Sequence, residues 1–260
     1  MKRLSIYVSI LFFCSQNIFA QIDEIKNKSR QNSSSSNSDH QSSAGSAGSN
    51  SSGSNFMFNL FFNVIGSGLG QWQRNVLLKR DINANIVSFE SMFQVAAQPS
   101  QYYVFNSRIR GNWGIVTTDF RVNYMLQEDI NGTKELRTDD WQIVALNIVN
   151  TKNAIARIGT GFMHEGFSGG SSYSESTMAL IVTSNSQKLN GMVEYRVAKD
   201  FTTLAIPRRE ISVMLQKKIF DTGAAHGFIT IGTQFQRYYN SINVWGIQAG
   251  FILKLYRDVE

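Results

Sequence analysis

Three histidines are the first place to look for chemistry in a chain with a single cysteine, and they are scattered: His40, His164 and His226. Only His164 stands beside a carboxylate, Glu165, and ahead of a Gly/Ser-rich stretch, Gly166 to Ser172. A histidine with a carboxylate and a serine could serve as the general base of a hydrolase. No Asp-x-His dyad accompanies it, and no nucleophile with oxyanion donors can be picked out, so the simpler reading is a loop histidine. Histidines this far apart offer no metal-ligand spacing, and Glu128, Asp129 and Asn131 lack the full calcium-loop pattern. The expectation is no metal and no cofactor. Asn131-Gly132-Thr133 has the form of a glycosylation acceptor, but Asn-Gly is first a turn signal, and it is read as a turn.

The remaining chemistry is charge placed at every second residue. From residue 84 onward the apolar period is two, which is the signature of strands. Val116, Thr118, Phe120, Val122, Tyr124 and Leu126 share one face, opposite Thr117, Asp119, Arg121 and Asn123. The same split sets Val87, Phe89, Phe93 and Val95 against Glu90 and Gln94, and Tyr103, Phe105 and Ile109 against Asn106, Arg108 and Arg110. Val193, Tyr195 and Val197 oppose Glu194 and Arg196, and Ile211, Val213 and Leu215 oppose Ser212 and Gln216. If the polar face points into a closed barrel, its lumen receives Glu90, Asp119 and Glu194 as acids. The bases are Arg108, Arg110, Arg121, Arg157, Arg196, Lys218 and Lys254. A small barrel has no room for these side chains in water, so most must fill the interior and pair. A narrow path preferring anions is the functional alternative, since unpaired guanidinium groups attract them.

Ten strand segments can be drawn, near 86–97, 102–111, 115–126, 141–149, 154–163, 173–183, 189–198, 210–219, 227–238 and 242–256. The expected fold is all-β, a closed antiparallel up-and-down transmembrane β-barrel of about ten strands, within a range of eight to twelve. The connections after even-numbered segments are mostly short, whereas Gln127 to Asp140 and His164 to Ser172 read as long polar loops. Aromatic residues gather near segment ends, with Tyr102, Tyr103, Trp141, Tyr238 and Tyr239 toward one rim and Trp113, Phe220 and Tyr256 toward the other. Alternation alone leaves open an exported soluble barrel whose apolar face surrounds a lipid.

The chain ahead of residue 84 divides into three. Lys2 and Arg3 precede the apolar run Leu4 to Cys14, which is shorter than the roughly 20 residues of a spanning helix and is followed by the small-residue exit at Ala20. Residues 1–20 read as a signal peptide whose removal leaves Gln21 first. Cys14 departs with it, leaving no thiol for a disulfide or a thiolate metal site, and the net charge falls from +6 to +4. That excess is too mild to imply nucleic acid. Residues 21–55 read as a disordered tether, because 33–54 hold twelve serines among Asn, Gly, Gln and Ala. Residues 56–83 form an apolar lead-in in which Phe58, Phe61, Phe62 and Ile65 recur at helical spacing, a candidate contact for a partner, a plug or a further strand.

Taken together, residues 84–256 resemble small outer-membrane β-barrel proteins of Gram-negative bacteria, at the level of architecture. The final strand is similar to the aromatic C-terminal strand of that class, although Tyr256 is followed by Arg257 to Glu260. The resemblance implies outer-membrane lipid as the surroundings, with other envelope proteins as candidate partners. The expected function is a non-catalytic structural or accessory subunit of an envelope assembly. The alternatives are a narrow anion-preferring channel, an outer-rim hydrolase using His164, and an exported soluble lipid-binding barrel.

Overall fold

A computed structural model describes residues 21–37, 87–98, 102–113, 115–129, 132–151, 153–184, 186, 188–200 and 202–256. The lead-in with Phe58, Phe61, Phe62 and Ile65 lies outside the described residues, as does the segment 1–20.

Ten strands follow one helix. The helix α1 spans Gln21–Asn37, and the strands are β1 (Val87–Gln98), β2 (Tyr102–Trp113), β3 (Val116–Asp129), β4 (Gly132–Asn150) and β5 (Ala154–Glu165). They continue with β6 (Ser172–Thr183), β7 (Leu189–Lys199), β8 (Arg208–Asp221), β9 (Ala225–Tyr238) and β10 (Ile242–Tyr256). Each strand pairs antiparallel with its sequence neighbours, and β1 closes onto β10 with Phe93 opposite Phe251. Closure satisfies every edge, so the sheet leaves no free row of backbone donors.

Alternation decides which way each side chain points. Phe89, Phe93, Phe120, Val193, Tyr195, Val213, Leu215, Ile247 and Phe251 stand exposed on the outer wall. Glu90, Gln94, Asp119, Arg121, Glu194, Arg196, Ser212 and Gln216 are buried in the lumen. The apolar face is therefore outside and the polar face inside, the reverse of a soluble barrel with an apolar cavity.

Two expectations are corrected. Gln127 to Asp129 and Gly132 to Asp140 are strand, not loop: β3 and β4 run on past the rest of the sheet, with Asp129 opposite Gly132. Both faces of this stretch carry charge, so its alternation cannot be read from the apolar residues. The supposed aromatic rim also divides. Tyr103 and Trp141 face outward, but Tyr102 and Tyr238 are buried inside the mouth.

The disordered tether expected over 21–55 gives way, in its first part, to α1. Ile22, Ile25 and Ser29 fall on one helical face and are fully buried, while Asp23 and Glu24 in the first turn suit the helix dipole. The serines at its other end bond back to the helix, Ser33 Oγ to the Ser29 carbonyl at 2.7 Å and Ser34 Oγ to that of Arg30 at 3.0 Å. The helix lies across the end of the barrel where β1 finishes, here the far end, and touches β2, β3, β4, β5 and β6. The entry end, where β1 begins, is the opposite mouth.

On the inner wall, glycine is required where the neighbouring strand's backbone comes close. A Cβ on Gly232 would sit 2.0 Å from the Val213 carbonyl oxygen, whereas one on Gly191 would meet nothing within 4 Å. Gly232→Ala should lower the barrel's unfolding free energy by about 1–3 kcal/mol, and Gly191→Ala should leave it unchanged, as read by urea unfolding of the refolded protein.

Candidate functional site

The lumen holds one continuous array of opposite charges, built because inward positions on neighbouring strands place acids and bases at the same height. Nearest the far end, the Asp140 carboxylate takes Arg121 at 2.5 Å and Arg208 at 2.7 Å. Arg121 also pairs with Glu210, which accepts from Gln236 Nε2 at 3.0 Å. Glu175 links this group to the next, bonding Arg208 at 2.8 Å and Arg196 at 3.2 Å. Arg196 Nε then meets Glu194 at 2.6 Å, and its Nη2 meets Asp119 at 3.3 Å. Arg108 binds Glu194 at 2.9 Å and also Asp119, while Arg110 reaches Asp119 at 3.3 Å and Glu90 at 3.2 Å. Lys254 completes the array on Glu90 at 3.5 Å.

Several of these bonds cross the barrel. In the closed order of ten strands, β2 and β7 lie five places apart, as do β3 and β8. The Arg108–Glu194 and Arg121–Glu210 pairs therefore join diametrically opposite walls. Such bridges occupy the axis itself. All the groups in them are buried, and a buried ion costs several kcal/mol of desolvation unless partners surround it.

Glu90, Arg108, Arg110, Asp119, Arg121, Arg157, Glu194 and Arg196 are buried side chains. Glu90, Arg108, Arg110, Asp119, Arg121, Glu194 and Arg196 meet in the array, while Arg157 stands apart, bonded to Asn147 at 2.8 Å and Asn112 at 3.2 Å. Lys218 pairs instead with Asp221 near the entry end, at 2.7 Å. Sequence reasoning missed four members. Arg208 and Glu210 share parity with Ser212 and Gln216, and counting back along β8 would have found them. Asp140 was hidden by the misread loop, and Glu175 by a strand whose inward face mixes Tyr173, Thr177, Ala179 and Ile181. With all four included, acids nearly balance bases, correcting the expected large excess of positive charge.

Above the array, the far end is an apolar cup of Ala96, Tyr102, Val104, Met125, Leu136, Tyr238, Ile242 and Val244, filled by Ile22 and Ile25 of α1. Polar contacts fix the helix around the rim. Tyr102 Oη donates to Gln21 at 2.5 Å, the Ile22 N–H donates to Gln127 at 3.0 Å, and Lys134 pairs with Asp23 at 2.5 Å. Ser29 donates to Glu165, whose carboxylate also accepts from Tyr173 at 3.4 Å and from Tyr239 at 3.1 Å. Burial, and then the Glu165 carboxylate, push the Tyr239 phenol well above its usual range, so it stays protonated and donates.

His164 is on the other side of its strand from Glu165. It is exposed on the outer wall, with Nδ1 3.0 Å from the Ser172 hydroxyl. The carboxylate next to it in sequence thus points into the mouth and cannot orient the ring, as alternation along β5 requires. Among the described residues no group of three or more His, Cys, Asp or Glu side chains could hold a metal ion.

No protein-family model matches this chain, and no curated protein does. Among solved structures, the N-terminal β-barrel domain of Pseudomonas aeruginosa OprF is similar with a TM-score of 0.29 and 11% identity, over 66% of this chain and 98% of that one. A bacterial polysaccharide outer membrane secretin gives a TM-score of 0.26 and 10% identity, over 68% of this chain and 100% of that one.

Arg196 touches three carboxylates, so its loss strands buried charge. Arg196→Met should cost about 3–5 kcal/mol in urea unfolding, since removing one partner of a buried array leaves the others uncompensated.

Proposed function

We propose that this chain is a non-conducting outer-membrane β-barrel that serves as a structural or accessory subunit of an envelope assembly. The single observation that carries the reading is the set of charge pairs joining opposite walls. A pore needs a continuous polar path, and here the polar groups that would line one are bonded to each other across the axis.

The outer wall supports the membrane part of the proposal. Its exposed phenylalanine, isoleucine, leucine and valine side chains occur on every strand, far more apolar surface than the few hundred Å² a soluble monomer leaves in one patch. A lipid-binding soluble barrel would need that surface inside, and a hydrolase would need His164 joined to an orienting carboxylate. Export through residues 1–20 and residence in a Gram-negative outer membrane belong to the same proposal, as does contact with other envelope proteins through residues outside the barrel.

Conductance tests it directly. Purified protein in planar bilayers should give no steady ohmic channel, both in the full chain and after deletion of residues 21–37, because the array persists when the helix is gone. A stable conductance in either would overturn the reading. Side-specific labelling tests the membrane geometry. With Cys14 changed to Ser, Ser34→Cys on α1 and Thr222→Cys at the entry end should react oppositely with an impermeant maleimide on intact cells, one labelled and the other protected. Labelling of both, or of neither, would contradict a spanning barrel with α1 at its far mouth.

A further inference from the structure

Six arginines are buried in the lumen, Arg108, Arg110, Arg121, Arg157, Arg196 and Arg208. Five have carboxylate partners. Arg157 has none among the described residues, although its side chain is only 4% exposed. Its Nε donates to Asn147 Oδ1 at 2.8 Å and its Nη2 to Asn112 Oδ1 at 3.2 Å, while the buried Nη1 has no hydrogen-bond acceptor among the described residues.

Two neutral amides fix the plane of the guanidinium without cancelling its charge. The charge count gives the same answer. Adding Lys254, seven cations face the six carboxylates of Glu90, Asp119, Asp140, Glu175, Glu194 and Glu210. Glu165, the other buried carboxylate, does not compensate. It sits eight residues further along β5, about 26 Å away at the strand rise, and its oxygens are taken by hydroxyl groups at the far mouth. Among the described residues the surplus positive charge falls toward the entry end, at Arg157.

We propose that Arg157 is a binding site for one small inorganic anion of halide size. The Asn147 and Asn112 contacts hold Nη1 in place, and its N–H groups donate to the ion beside Asn112 and Thr117, near the mouth where β1 begins. The ion supplies the counter-charge that the carboxylates of the described residues do not. The site is independent of whether the barrel has a structural role, because it follows from the lumen charges alone.

Halide titration of the full-length refolded protein tests the site. Exchanging gluconate for bromide at constant ionic strength should raise the thermal unfolding midpoint by a few degrees, with saturation. Arg157→Gln should fold and lose this response, while Arg196→Lys, which keeps the charge of the paired array, should retain it. Crystals grown in bromide should show an anomalous peak beside Nη1 of Arg157. No difference between bromide and gluconate would overturn the proposal, as would an equal response in Arg157→Gln. If that variant does not fold, the wild-type crystal decides, since a peak at Nη1 supports the site and a bromide-grown crystal without one refutes it.

Discussion

Charge compensation inside a narrow tube is the constraint on which this structure depends. This ten-strand barrel turns its apolar residues outward, so whatever alternates with them must go in. The interior is too narrow to keep those groups hydrated as in a wide porin. Each guanidinium then has to be answered by a carboxylate at the same height or on the opposite wall. The chain answers with Asp140, Glu175, Asp119 and Glu194, each of which accepts from at least two arginines. Sharing in this way lets few carboxylates serve many guanidinium groups, and it ties strands together that are not neighbours in the sheet.

That cross-tying adds a constraint that hydrogen bonding within the sheet leaves open. The ladders between adjacent strands fix register and, with the strand number, the mean radius of the tube, but not how far its cross-section flattens. The Arg108–Glu194 and Arg121–Glu210 pairs fix the distance between opposite walls, so the shape of the barrel is set by its side chains as well as by its backbone. The inward glycines act on the same feature from the other direction, because Gly232, Gly161 and Gly250 each face backbone at distances a Cβ could not occupy.

Much of this was legible in the sequence, for a simple reason. Period-two alternation reports which residues share a face, and the strands with clean alternation, β1, β2, β7 and β10, yielded both their boundaries and their lumen residues, while β3 yielded its lumen residues but not its far end. Legibility failed where an outer face carries charge. Glu135, Arg137 and Asp139 stand outside on β4, so that stretch looked like a loop and Asp140 was lost with it. It failed again for α1, whose sequence is polar and serine-rich over most of its length. Two isoleucines three residues apart are too little periodicity to announce a helix, and their meaning comes from a cup assembled by β1, β2, β3, β4, β9 and β10. Tertiary burial made the helix there, against local composition.

The helix also marks the two mouths as different in kind. At the far end, burial is apolar: Ile22 and Ile25 contribute about 1.5–3 kcal/mol each by leaving water, and the one buried carboxylate, Glu165, is held by neutral hydroxyl groups. The entry half buries two small apolar clusters, Met92, Phe228 and Ile252 in one and Ile181, Met192 and Met214 in the other, beside the amides around Arg157, and no helix covers them among the described residues. A single rule accounts for both. Among the described residues the array in between consumes nearly all the opposite charges, leaving Glu165 at the far mouth and Arg157 toward the entry mouth without an oppositely charged partner. The chain solvates the first with its own Ser29, Tyr173 and Tyr239. For the second it offers amide oxygens, which orient a guanidinium but do not neutralise it, and an anion from solution supplies what they lack.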